Sequence, residues 1–234
     1  MTSLRKNKDV LEPLICGIDE AGRGPVLGSL VISGVCFFSN DLEFLEDIEV
    51  KDSKKLIPTK RAELAKSIRQ NCHSYHLIII DAEEIDKREK QRITLNRLEE
   101  LKMAEIINHL QPDIIYIDAA DTNEYRFKMA IKHLMDYSPQ KIISKHKADE
   151  LFPIVSAASI LAKNKRDALI KDLNTNFLED IGSGYPSDEK TVTFLRNYIR
   201  TNKKAPFCAR KTWKTTKKIL NEEIGNRKIT EFFT

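Results

Sequence analysis

No run of apolar residues in this chain is long enough to span a bilayer, so no segment reads as a transmembrane helix. The polar, lysine-bearing residues 1–10 lead into no apolar signal segment, and a cytoplasmic location is the expectation. Cysteine is sparse and scattered. Cys16, Cys36, Cys72 and Cys208 make no metal-ligand spacing, and no Cys/His set points to zinc. Buried free thiols suited to a reducing compartment are expected instead. There is no internal repeat and no low-complexity linker, so 234 residues with 41% hydrophobic content read as one large domain, or one domain with a small appendage. Acidic residues are missing from 190–221, a stretch that carries Arg196, Arg200, Arg210 and Lys217 among other basic residues, although the net charge of the whole chain is only +4. Phe194, Tyr198, Phe207 and Trp213 are interleaved there. That mixture predicts a phosphate-tracking surface built on a packed helix pair.

What is present gives the order of elements. Two Ile- and Val-rich runs, 14–19 and 28–38, are separated by Gly–Pro punctuation and predict a β-hairpin. Pro58 and Thr59 open a helix to about residue 71, followed by a strand over 75–81. The apolar spacing of Leu95, Leu98, Leu101, Ala104, Ile107 and Leu110 predicts an amphipathic helix over 93–110. A short strand over 113–118, a helix over 123–135 and an edge strand over 141–144 come next. A buried helix over 154–173 carries small residues that allow close approach. A turn at 182–186 precedes a helix capped by Ser187 and running to about residue 200, and a final helix spans 211–223. The order predicts an α/β fold with a mixed sheet and a helical C-terminal lobe.

The chemistry concentrates in Asp19-Glu20-Ala21-Gly22-Arg23-Gly24-Pro25, directly after the apolar run Leu14-Ile15-Cys16-Gly17-Ile18. Two adjacent carboxylates stand where a strand should end, and carboxylates gather divalent cations. The Gly-Arg-Gly turn offers backbone donors and a guanidinium fork that fits a phosphate. Asp118 also ends a predicted strand, and strand ends are the usual ligand site of an α/β sheet. Glu20 points away from Asp19 unless the turn at Ala21-Gly22 brings it back. Asp121, Asp149 and Glu150 are candidates for a further ligand, and Asp149 reads equally as the N-cap of the helix that Pro153 opens. Oxygen-only donors suit Mg²⁺ or Mn²⁺. Two such ions about 3.5–4 Å apart activate a water and stabilise a leaving oxygen in an in-line displacement on a phosphate ester.

Five ordered blocks carry a resemblance: residues 17–28, Asp52-Ser53-Lys54-Lys55-Leu56, Ile117-Asp118-Ala119-Ala120-Asp121, Lys147-Ala148-Asp149 with 155–163, and Gly182-Ser183-Gly184-Tyr185-Pro186 with Ser187 and Asp188. Together they resemble the type 2 ribonucleases H, in the single-chain ribonuclease HII branch of archaeal type. The resemblance implies a ribonuclease H-like fold: a central mixed β-sheet flanked by helices, with a helical C-terminal lobe. It divides the chain into a catalytic core over 1–186, a basic helical lobe over 187–225 and a tail over 226–234. It implies endonucleolytic cutting of RNA in RNA–DNA hybrids, and cutting 5′ to single ribonucleotides in duplex DNA, in replication and repair. The products would carry 3′-hydroxyl and 5′-phosphate ends.

Carried over residue by residue, Asp19, Glu20, Asp118 and Asp149 are the metal-binding carboxylates, with two ions of Mg²⁺ or Mn²⁺ expected. Asp121 falls outside that set. Gly22, Arg23, Gly24 and Tyr185 read the ribose 2′-hydroxyl, which both donates and accepts. Lys54, and with it Lys163 and Arg166, are candidates for phosphate contacts. The Gly-Arg-Gly form, absent from the sister ribonuclease HIII branch, implies junction cutting. In the tail, Ile229, Phe232 and Phe233 share one face of a helical turn and look like the motif that docks on the sliding clamp, with Asn226 in place of the usual Gln. A monomer is the expected state. The competing expectation is a hybrid- or clamp-binding protein without turnover; a carboxylate-pair glycosidase would need neither the basic region nor the Gly-Arg-Gly turn.

Overall fold

The computed structural model describes residues 12–48, 50 and 56–225. Lys54 and its motif neighbours 52–55, and the tail residues Ile229, Phe232 and Phe233, lie outside the described residues.

Five strands form one sheet. β1 (Leu14–Ala21) and β2 (Leu30–Phe38) make the expected hairpin, and β3 (Ser74–Ile80) pairs antiparallel with β2. β4 (Ile114–Asp118) runs parallel to β1, and β5 (Lys141–Lys145) runs parallel to β4 at the edge. The sheet order is β3-β2-β1-β4-β5. Both faces are covered, which is why β1 and β2 read as near-continuous apolar runs rather than alternating ones. On one face Cys16, Ile18 and Ile32 pack with Met103 and Ile106 of α4 (Leu95–Leu110) and Phe127 of α5 (Glu124–Lys132). On the other, Ile15, Val35 and Phe37 pack with Ile68 of α2 (Pro58–Asn71) and with Val155, Ala158 and Leu161 of α7 (Pro153–Phe177). Gly17 lets α7 lie directly on β1: a Cβ there would stand 2.1 Å from the Ile154 carbonyl oxygen.

Several elements depart from the sequence expectation. Strand β1 continues through Ala21 instead of ending at Asp19, so Asp19 and Glu20 are paired with Ser33 and Ile32 inside the hairpin. A helix, α3 (Ala82–Lys90), fills a span the apolar pattern passes over, because only Ala82 and Ile85 are buried in it. Its signal was in the caps: Asp81 accepts from the Glu84 N–H (2.7 Å), acids fill the first turn and bases the last. In α4 the buried stripe takes in Glu99, while Leu101 is half-exposed. The cap of α8 (Glu189–Asn202) is Asp188, not Ser187; its carboxylate accepts from the N–H groups of Lys190 (3.0 Å) and Ser183 (2.6 Å). The last helix, α9 (Lys214–Leu220), starts later than expected. Asp86 of α3 holds the N–H groups of Lys211 (2.7 Å) and Thr212 (3.0 Å) and so fixes the segment before it.

Most basic residues of the acid-free stretch are exposed as its composition predicts, Lys203, Lys204, Lys211 and Lys214 among them, while others are engaged by acids or buried. Arg196 and Arg200 pair with Glu223 just beyond it, Lys217 with Glu89 and Lys190 with Asp180. Phe194 and Tyr198 pack on Phe177, and Arg210 is fully buried. That lobe closes over the chain just after the Gly-Arg-Gly turn. Val26 and Leu27 are buried among Phe194, Leu195 and Ile199, and Gly28 N–H donates to the Cys208 carbonyl (2.9 Å).

Candidate active site

Strands β1 and β4 are parallel neighbours with Ile18 beside Ile117, so Asp19 and Asp118 follow side by side one step further on. The pleat separates the two acids of β1. Asp19 shares the face covered by α7 and is hydrogen-bonded to the Ser159 hydroxyl, while Glu20 turns to the opposite face, where Glu99 of α4 is its strongest charged neighbour. Asp118 accepts from the Ala148 N–H (3.0 Å), which ties the end of β4 to the start of α6 (Ala148–Leu151). Asp149 is buried inside α6, one residue along. It does not cap α7; that position belongs to Phe152.

Burial first, then the charges of Glu20 and Asp118, raise the Asp19 carboxyl well above the usual carboxylate range. Glu20 is pushed up to about 8 by burial, then by Glu99 and Asp118, with Arg23 partly offsetting them. One Glu20 oxygen, Oε2, is buried without a hydrogen-bond partner. The repulsion that Asp19, Glu20 and Asp118 exert on one another is of the kind a divalent cation held by their oxygens would relieve. Among the described residues, no group of three or more acidic, His or Cys side chains is gathered so as to hold an ion.

Asp121 is differently employed. It accepts from Asn123 N–H (2.9 Å), from Asn96 Nδ2 (3.0 Å) and from Arg126, and these bonds take its carboxyl down to about 2. Glu150 lies 3.9 Å from Lys147 at the surface.

The Gly-Arg-Gly turn is held from two sides. Gly22 has φ +92°, a left-handed conformation that favours glycine, and a Cβ there would meet the Ser29 carbonyl oxygen at 2.7 Å. The Arg23 guanidinium donates to the Ala120 carbonyl and to Asn96, and its Nε is 3.4 Å from Glu99 Oε1. Its fork is thus engaged by the protein. Gly24 lies against the Tyr185 ring, with 3.6 Å from its would-be Cβ to Tyr185 Cε1. Tyr185 itself is 38% exposed.

Three residues here escape the sequence expectation. Glu99 is completely buried, and burial takes it up to about 7 against the pull of Arg23. A glutamate on the apolar stripe of α4 was the available signal. Arg166 is buried rather than offered to phosphate: its guanidinium lies 4.9 Å from the Tyr185 ring centre and donates to the Ser183 carbonyl (2.6 Å). Arg210 donates to the carbonyls of Gly22 (2.6 Å), Arg23 (2.9 Å) and Gly28 (3.0 Å).

The raised Glu20 is expected to make the stability of the metal-free protein depend on pH. An acid whose folded pKa lies above its ordinary 4.5 holds its proton more tightly folded than unfolded. Its contribution is therefore lost as pH rises from about 4.5 through about 8. In chelator, Tm is expected to fall across that window, and added Mg²⁺ to restore most at its upper end. Glu20→Gln should make the slope shallower, with Asp19 and Glu99 keeping part of it; an unchanged slope in that variant would assign the effect elsewhere.

The five-stranded mixed sheet with helices on both faces, and acids near the ends of adjacent central strands, is a ribonuclease H-like fold. Residues 16–216 match the model of the family described as Ribonuclease HII. The Ribonuclease HII of Methanocella arvoryzae is 46% identical over 213 residues, covering 91% of this chain and 94% of the relative. The crystal structure of ribonuclease H2 from Pyrococcus horikoshii OT3 superposes with a TM-score of 0.84 at 39% identity, over 89% of this chain and 98% of that one. A chain from the PCNA:RNase HII complex of Archaeoglobus fulgidus gives a TM-score of 0.79 at 38% identity, over 86% and 95%. The chain belongs to the ribonuclease HII family, the metal-dependent type 2 ribonuclease H endonucleases. Membership sets aside the binding protein without turnover and the glycosidase. No helix among the described residues is long and apolar enough to cross a membrane.

Proposed function

We propose that this endonuclease cuts the RNA strand of RNA–DNA hybrids and the 5′ side of single ribonucleotides in duplex DNA, leaving 3′-hydroxyl and 5′-phosphate ends, and that it serves replication and repair. The observation that carries the reading is continuity. The acids Asp19 and Glu20 lead within four residues into a turn whose second glycine touches Tyr185. The reacting phosphate and the ribose beside it thus meet adjacent parts of one surface.

Asp19, Glu20, Asp118 and Asp149 are the residues that would hold Mg²⁺ or Mn²⁺, whose charge would offset their mutual repulsion. Two such ions would supply the Lewis acidity to activate a water and to stabilise the departing 3′-oxygen. The remaining work belongs to the chain. The Gly22–Gly24 turn offers backbone groups, and Tyr185 a hydroxyl, to the ribose 2′-hydroxyl. The Tyr185 ring gives the next sugar an apolar face, which suits deoxyribose better than ribose. Arg23 keeps a positive charge beside Glu20 and Glu99. Lys54 supplies a phosphate contact. In this reading residues 1–186 are the catalytic core and 187–225 the lobe that closes over the turn. A labelled strand with a run of ribonucleotides followed by DNA should give one dominant cut before the last ribonucleotide. An even ladder through the run would overturn junction recognition.

The tail over 226–234 is proposed to dock on the sliding clamp through Ile229, Phe232 and Phe233. The support is the spacing of its apolar residues in the sequence and a relative whose structure is a complex with PCNA. Deleting 228–234 should abolish clamp binding and leave cleavage of short duplexes intact; retained binding would exclude the tail.

A further inference from the structure

We propose that Arg210 is a positioning residue for ribonucleotide recognition, setting the backbone of the Gly22–Gly24 turn in the orientation that meets the 2′-hydroxyl. The inference rests on the reading of that turn given above. Each nitrogen of the guanidinium has its own acceptor: Nε the Gly28 carbonyl, Nη1 that of Arg23 and Nη2 that of Gly22. In a trans peptide the N–H points opposite to the carbonyl before it. With the Gly22 and Arg23 carbonyls drawn inward to Arg210, the N–H groups of Arg23 and Gly24 are turned away from it. Gly24 is also where the turn meets Tyr185. A planar fork with donors on three edges can hold three carbonyls at once; a lysine ammonium on a flexible stem cannot hold the same geometry.

Arg210 is itself fixed. Its N–H donates to the Val26 carbonyl (2.9 Å), and its guanidinium lies 5.0 Å from the Trp213 ring centre, with Arg88 of α3 at 5.2 Å from the same ring. Asp86, also on α3, clamps the two residues after it, Lys211 and Thr212. Arg166 stands under Tyr185 in the corresponding way and is close enough to depress the Arg210 guanidinium further after burial itself, to about 10. Arg166 repels the buried Arg210 charge while Asp86 and Glu99 offset it, and among the described residues no carboxylate is hydrogen-bonded to the Arg210 guanidinium. Such a cost is kept where three carbonyls must be held in place. The C-terminal segment around Arg210 thus acts on recognition from beneath the turn, through a buried residue.

The test uses the full chain with Mg²⁺, a duplex carrying one ribonucleotide as substrate, and the all-DNA duplex of identical sequence as competitor. The ratio of the competitor's Ki to the substrate's KM measures preference for the 2′-hydroxyl. Partial unfolding lowers the active fraction and leaves that ratio unchanged. In Arg210→Lys the ratio should fall about tenfold, the effect of one or two misplaced hydrogen bonds. Arg210→Gln, which removes a buried charge, should lower it as well. A wild-type ratio with both variants folded would overturn the role of Arg210. If neither variant folds, the role reduces to structure and the proposal is likewise overturned. A wild-type enzyme with a ratio near one would instead overturn the reading of the turn itself, whatever Arg210 does.

Discussion

Asp118→Asn is expected to lower cleavage by about 10³-fold or more, on the order of 4 kcal/mol of transition-state stabilisation, while the protein stays folded. The substitution keeps an oxygen that can accept from the Ala148 N–H, so the bond joining β4 to α6 survives. What it removes is a negative charge that both Asp19 and Glu20 feel across a buried site. In chelator the variant should therefore be as stable as the wild type or more so, because one source of like-charge repulsion has gone. In Mg²⁺ the order should reverse, since the wild type gains stability from binding the ion and the variant gains less. Activity lost together with unfolding would show instead that Asp118 supports the fold. Single-turnover cleavage and Tm, each with and without Mg²⁺, separate the two.

The second large effect concerns stability. Gly17→Ala puts a methyl group 2.1 Å from the Ile154 carbonyl oxygen, 2.4 Å from the Ile154 carbonyl carbon and 2.7 Å from the Val155 nitrogen. All three are backbone atoms at the start of α7, so no rotamer change relieves the clash. Overpacking commonly costs about 1–3 kcal/mol, and here the upper end or beyond is expected. For a domain of this size that lowers Tm by roughly 10 °C. Gly34→Ala, on the opposite face of the sheet, is the control. Its nearest obstacle is the Ile106 Cγ2 at 2.4 Å, a side-chain end that can move, and the loss should be smaller. Because α7 also carries Ser159, the partner of Asp19, Gly17→Ala should reduce activity beyond the loss in folded fraction. Equal Tm values for the two alanine variants, measured by thermal scan, would contradict the close approach of α7 to β1.

How legible this protein was in its sequence depended on whether a feature was local. The hairpin, the α4 stripe and the short strand ending at Asp118 follow from apolar spacing and turn residues within each segment. The helix α3 was missed because its charge-rich sequence has almost no buried face; its cap and end charges carried the signal. Glu99 looked like one more charge on an amphipathic helix. It is functional in appearance only once β1 places the Glu20 charge within its electrostatic reach, across 79 positions that no spacing rule contains. Arg210 and Arg166 show the opposite trap. Composition placed Arg210 in a basic stretch and Arg166 on a helix beside an acid, and both suggested an exposed phosphate contact. Their acceptors are carbonyls far away in sequence or just beyond the helix, so burial could not be read locally. The positions of Asp19 and Glu20 on opposite faces follow from the period of two, once β1 is known to continue to Ala21.

The central claim is that carboxylates on two parallel central strands serve metal-dependent hydrolysis beside a turn that recognises ribose. Its most direct test is a labelled DNA duplex with one ribonucleotide, incubated with the wild-type chain in Mg²⁺, in chelator, and beside an all-DNA control. One cut 5′ to the ribonucleotide is expected in Mg²⁺, ending in a 3′-hydroxyl, with none in chelator and none in the control. A cut that persists in chelator, or that leaves a 2′,3′-cyclic phosphate, would contradict it.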